Sequence, residues 1–447
     1  MRHPTLPRWL NKRTPFFYGW VILFCACCAG FARQGPAVAP LSIFITPMTS
    51  EFGWSLTSIS AAVSAGGILA ALSSPFLGPY LDKYGPRIIL SVSILFTGFT
   101  VMLLSFTDSL AFFFILFCLA RMNFAGPFDL GIYGSINNWF FRSRGLATAI
   151  TTFIQMLGLV AMPLIAQASI QYNGWRFAWV VIGITVLVVG FLPNYLLQIK
   201  KPEDLGLFPD GLDPSKTNVG HEKSQLKDEE PKFSREEALK TKAFWVLCLY
   251  TVLIYPVQAG ISLHQAPHLI ERQIDTNTTA TIIATFSFLS AVSGVVFGLI
   301  LRRITVRLAL IISAFSLATS SCLMLIISTS WQGYLSAIFF GIGIGGILTI
   351  LPIAWADFFG RKSYGSIRGV VLFFQVSAQA FGPLLSGILR DHTGGYETSL
   401  FTFFVFSVLA VLTSCLLYTS PSPRDQRGSG IPSCWWKKKR GGGGGGG

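Results

Sequence analysis

Charge is what this chain has least of: Asp, Glu, Lys and Arg make up 12% of its 447 residues, about half the roughly 25% usual in a soluble domain. A water-soluble exterior cannot be built from so few charges. Disorder is excluded from the other side, because disordered chains are poor in apolar residues and 52% of this one is apolar before its 44 glycines are counted. The eight cysteines show neither zinc-site pairing with His or Cys nor the even loop framework of a secreted domain. Six of them (Cys25, Cys27, Cys28, Cys118, Cys248 and Cys322) lie inside apolar runs and read as small buried hydrophobes. No nucleotide loop, paired catalytic motif or metal cluster is evident, so an enzyme, a cofactor and a bound metal are not expected. Nor is a cleavable signal peptide, since the first apolar run starts at Phe16 and continues far past the short core of one.

What is present is a series of long apolar runs. Twelve occur, at about 17–45, 56–80, 88–106, 110–135, 145–168, 177–198, 243–267, 279–301, 308–327, 332–358, 369–389 and 399–418, each near the 20 or so residues that cross a bilayer as helix. Only helices and closed barrels satisfy backbone polar groups in hydrocarbon, and these runs are too long for alternating barrel strands. The expectation is an all-α membrane protein of twelve transmembrane helices. A cytosolic segment 1–16 precedes a first six-helix half, 17–198; a linker, 199–242, joins it to a second half, 243–418. Placing the N-terminus in the cytosol puts fourteen short-loop Lys and Arg inside, Lys83, Arg87, Arg144 and Arg368 among them, and leaves Arg176, Arg272 and Arg390 outside. The preference of cytosolic loops for Lys and Arg then assigns both termini to the cytosol.

The linker from Lys200 to Lys242 holds nine basic and ten acidic residues and is read as solvating. Within it Ser234 and Glu237 have capping-box spacing, which predicts a short helix before span 7.

The halves repeat. Gly78 to Arg87 after span 2 is matched by Gly298 to Arg307 after span 8, with Gly and final Arg nine apart in both. Arg144-Gly145 is followed by Gln155 and Gly158, and Arg368-Gly369 by Gln379 and Gly382, at identical spacing. Such internal symmetry is characteristic of transporter folds. The stretch Gly78-Pro-Tyr-Leu-Asp82-Lys83-Tyr-Gly85-Pro-Arg87 resembles the loop 2–3 signature of the major facilitator superfamily. That resemblance implies a gating role for Gly78, Asp82, Lys83, Gly85 and Arg87, with Asp357 near the inner end of span 10 as a further gate or cap. A narrower resemblance, to the bacterial monocarboxylate-porter and oxalate/formate-antiporter branch, rests on Tyr18-Gly19-Trp20, Glu51-Phe52-Gly53-Trp54, Gly174-Trp175-Arg176 and Pro202-Glu203-Asp204-Leu205-Gly206-Leu207. It implies alternating access for small carboxylates, proton-coupled or by exchange. The chain departs from that branch in spans 8 and 11, where residues 279–301 and 369–389 carry no charge.

Charge inside a membrane is costly and marks function by default. Arg33 lies about 24 Å along span 1 from Phe17 and Arg121 about 16 Å into span 4, at 1.5 Å per residue. Arg33 sits in Gly30-Phe-Ala-Arg33-Gln34-Gly35-Pro36, which invites an interrupted helix of the kind that lines transporter sites. Two converging arginines would suit a carboxylate, with Gln34, Tyr133 and Gln155 as further substrate candidates. Asp129, after Gly126-Pro127, is either Arg121's partner or a proton carrier. His264 and His268, one turn apart near the outer end of span 7, are proton-coupling or interfacial hydrogen-bonding candidates.

The expected function is secondary active transport of a small organic anion across the cytoplasmic membrane. The partners are then the lipid bilayer and a small-molecule substrate, with no nucleic acid, and the protein acts as a monomer. The alternative is a transporter for a neutral or cationic compound, in which Arg33 and Arg121 are structural. A non-transporting sensor would need an output domain that the linker is too short to supply. Residues 419–447 fit none of this. Lys437-Lys-Lys-Arg440 followed by Gly441 to Gly447 is what one switch from a run of A to a run of G would encode, so the tail is expected to be non-native. Without it 28 basic residues face 19 acidic ones, and the net charge of +14 becomes +9.

Overall fold

The computed structural model describes residues 5–13, 15–54, 56–211, 233–301 and 303–417. The tail at 419–447 and residues 212–232 of the linker lie outside these. Among the described residues ten helices are long and apolar enough to cross a membrane. One of them, Arg144–Leu197, is two spans, because the backbone leaves the helix at Asn173 and Gly174, the latter with φ 79°. The shorter apolar helix Gly19–Ala32 supplies one more. Twelve spans result among the described residues.

Span 1 is Gly19–Ala32 continued by Val38–Phe52, span 2 Leu56–Tyr84, span 3 Pro86–Leu103, and span 4 Leu110–Ala125 continued by Pro127–Trp139. Spans 5 and 6 are residues 144–172 and 175–197. The second half has Lys242–Glu271, Thr276–Ile300, Val306–Leu325, Ser330–Phe359, Tyr364–Thr393 and Glu397–Cys415 as spans 7 to 12. A short helix, Thr5–Arg13, precedes span 1, and Arg235–Leu239 precedes span 7. The latter carries the expected capping box, in which Ser234 and Glu237 bond each other's backbone N–H. Several helices outrun their apolar runs; span 11 starts five residues earlier than the run that marks it, so Arg368 lies inside the helix. Of the cysteines read as buried, Cys322 is exposed and Cys28 half-buried, as suits thiols that face lipid.

The halves meet along span 2 against span 11 and span 5 against span 8. Both crossings are backbone on backbone at the end that carries the linker, here the linker end. A Cβ on Gly78 would collide with the Gly365 carbonyl, and one on Gly145 with that of Gly298. Small residues allow such approach where lipid supplies no hydrophobic drive between helices. These contacts also correct the repeat. Span 5 starts at Arg144 after Ser143 and span 11 at Tyr364 after Ser363, and the preceding spans end at Trp139 and Phe359. Gly145 therefore corresponds to Gly365, the same offset that relates Gly78 to Gly298. The matching Arg-Gly pairs at 144 and 368 stand one helical turn out of structural register.

Candidate substrate site between the halves

Two broken helices build the site. Span 1 ends its first segment at Ala32, turns through Arg33 to Ala37 and restarts at Val38, so the predicted interruption places Arg33 at the discontinuity. Span 4 breaks at Gly126 (φ −103°, ψ −88°), and Pro127, which lacks an N–H, opens the next segment. Asp129 then lies in the first turn of a new helix, where the positive end of the dipole favours a carboxylate. Arg33 Nε donates to the Phe124 carbonyl at 2.8 Å, tying the two breaks together.

Arg33 and Arg121 do converge. Their guanidinium carbons lie 4.5 and 4.1 Å from the centroid of one ring, that of Phe124, and the ring's quadrupole attracts both cations. Gly66 of span 2 makes room for the Arg121 stem, since a Cβ there would press on Arg121 Cβ. Arg121 Nη1 is buried with no hydrogen-bond partner among the described residues. Gln155 Oε1 accepts from Arg33 Nη1 at 3.3 Å, while Gln155 Nε2 is buried and unpartnered. Tyr133 is buried with Thr152 and Gln155 beside its hydroxyl. Gln34 is buried too, its stem packed where Gly158 of span 5 leaves space.

Asp129 is not Arg121's partner. Its Oδ2 lies 3.8 Å from Arg33 Nη1 and its Oδ1 accepts from Arg368 Nη2 at 3.2 Å. Arg368 belongs to the other half and its side chain is 1% exposed. Counting it as a loop charge overlooked it; the signal was Ser363, a residue suited to begin a helix, which sets Arg368 inside span 11. Arg144 was overlooked in the same way. It is buried at the start of span 5, donates to the Phe140 and Asn137 carbonyls at 3.2 and 3.3 Å, and pairs with Asp357 of span 10.

The signature residues divide. Asp82 accepts from Gly365 N and Ser366 N at 2.8 Å each, capping span 11 from the opposite half. Gly85, with φ 82°, starts span 3, and Lys200 packs where its Cβ would be. Arg87 stays in its own half, donating to the Tyr195 carbonyl at 2.9 Å, and Lys83 lies over the Tyr84 ring. Arg361 adds a bond to the Asn138 carbonyl across the halves at 2.9 Å. At the far end, Arg176 with Glu51, Arg272 with Glu397 and Arg390 with Glu271 each join helices of one half. The two histidines are also there, apart from the arginines: His264 Nε2 is 3.2 Å from the Pro383 carbonyl and His268 Nε2 2.8 Å from that of Met324.

Twelve spans in two halves, sealed at one end and cationic between broken helices, define an integral membrane protein of the transporter class. A sequence profile of the Major Facilitator Superfamily matches residues 22–273 and 265–438, and the chain belongs to that family. It is 22% identical over 441 residues to monocarboxylate transporter 1 of Homo sapiens, spanning 90% of this chain and 84% of that one. Over 212 residues it is 26% identical to the oxalate:formate antiporter of Oxalobacter formigenes, 46% of this chain and 45% of that one. Among solved structures it resembles the human organic anion transporter MFSD10, with a TM-score of 0.65 and 14% identity over 92% of this chain and all of that one. The family points to a transporter and not an enzyme.

Proposed function

We propose that this transporter moves a small organic anion of the monocarboxylate kind by alternating access across the cytoplasmic membrane, with both termini cytosolic. The observation that carries the reading is the pair of guanidinium groups on Phe124, of which Arg121 keeps a buried donor unpaired among the described residues. A carboxylate accepts from such donors bidentately, whereas a cationic substrate would meet like charge in a region of low dielectric. The names of the similar carriers support the same substrate class. The glycine crossings and the pairs made by Asp82 and Asp357 act as the cytosolic gate, so the site opens toward the outside in this conformation. Gln155, Tyr133 and Gln34 shape the site around the arginines. His264 and His268 of span 7, set against backbone carbonyls of spans 11 and 9, remain the proton-coupling candidates at its outer mouth.

Counterflow of labelled carboxylates in proteoliposomes tests this. Exchange of at least one short carboxylate is expected. Exchange confined to neutral or cationic solutes would refute the reading.

A further inference from the structure

One carboxylate holds guanidinium groups from both halves, since Asp129 touches Arg33 of span 1 and Arg368 of span 11. Yet Arg368 is far from satisfied. Its Nε and Nη1 are buried without a partner among the described residues, and so is the hydroxyl of Tyr364, which lies within its electrostatic reach. A guanidinium serving only to pin the halves would engage its fork with acceptors, because unpaired buried donors are costly. The spare donors suit a group that comes and goes. Arg33 and Arg368 both touch Asp129, and Arg33 shares the Phe124 ring with Arg121, so positive charge dominates among the described residues of this region and that group is an anion.

We infer that Arg368 is the second half's ligand for the substrate carboxylate, and that Asp129 is a built-in carboxylate that occupies Arg368 while the site is empty. The inference rests on the organic-anion reading and adds how the two halves share the substrate. Substrate arrival exchanges one carboxylate for another on Arg368, so neither state strands a buried charge. Arg368 is one turn from Ser366 and Gly365, the residues that Asp82 caps at the seam. The exchange therefore acts on the span 11 end that closes the linker side.

Melting-temperature titrations of the purified full-length protein, with acetate, lactate and oxalate as probes, separate this from a structural salt bridge. Arg368→Gln is expected to weaken binding of the stabilising probe at least tenfold, and Arg368→Lys to weaken it less. Asp129→Asn is expected to tighten it several-fold, because the internal competitor is gone. Opposite signs support the inference. A merely structural pair would lose binding in both variants and regain it in Asp129→Asn/Arg368→Gln, which would overturn it. If Asp129→Asn does not fold, Arg368→Gln and Arg368→Lys decide, and wild-type affinity in both overturns it. A wild-type protein that no probe stabilises and that exchanges no carboxylate removes the organic-anion reading, and this inference with it. Wild-type binding that Arg368→Gln leaves unchanged removes this inference alone.

Discussion

The two halves share their seams and differ in their interiors. Gly78 and Gly298, and Gly145 and Gly365, occupy equivalent crossings and do the same work. Inside, the pattern inverts. Arg121 of span 4 fills space left by Gly66 of span 2, whereas at the equivalent level of the second half Gly341 of span 10 leaves space that span 8 fills with Phe286 and Leu289. Asp129 has Thr349 in its place, while Arg368 stands opposite Thr148 in the first half. Closure of a two-fold assembly needs matched surfaces, so the seams stay alike. A bound ion does not need each ligand repeated at the equivalent position of the other half, so the cavity walls are free to diverge.

Breaking the seams has the largest expected effect. Gly145→Leu and Gly365→Leu each place a side chain into backbone of the other half, and each is expected to reduce counterflow to background while exposing a cysteine placed at the linker end to labelling. Unequal outcomes would show that the crossings are not equivalent. Next, Arg121→Ala is expected to lower counterflow at least tenfold with membrane insertion intact. Gly341→Ala at the matching position presses on Phe286 O and Leu289 Cβ, costs about 1–3 kcal/mol in stability and leaves anion selectivity unchanged. Asp357→Asn removes the negative charge that Asp357 sets against the buried Arg144 guanidinium. Because the Asp357 side chain is 39% exposed, about 2 kcal/mol is expected, below the range for a fully buried pair, read as a lower melting temperature. His268→Ala removes the bond to Met324 O and costs about 1 kcal/mol. The smallest effect concerns pH. Donation from Ser234 holds the Glu237 carboxyl below its ordinary range, so its contribution is present above that range and is lost on acidification. Hydrogen exchange across 235–239 reports it, and Glu237→Gln, which removes the titrating group, should abolish the pH dependence.

Much of this was legible in the sequence because bilayer thickness and helical rise leave few choices. Run lengths place the spans, and Gly30 to Pro36 foretells the break that carries Arg33, whereas the break at Gly126-Pro127 ahead of Asp129 emerges only in the structure. Their convergence with Arg121 follows from depth along two neighbouring helices. The partners of Asp129 and Asp357 were not legible. Arg368 and Asp129 are 239 residues apart, and no periodicity encodes a contact across the halves. Loop charge and buried charge also look alike when a helix begins before its apolar run, which concealed Arg144 and Arg368. The repeat misled by one turn because Arg-Gly recurs at both 144 and 368, while helix starts and backbone crossings, which sequence spacing does not reveal, set the true register.

The central claim, that the site recognises negative charge, is tested most directly by pairing acids with their isosteric amides. Melting temperatures of the purified protein would be compared in acetate against acetamide and in lactate against lactamide. The account predicts that at least one acid stabilises the protein and its amide does not, with the difference lost in Arg121→Gln. Equal stabilisation by acid and amide would contradict it.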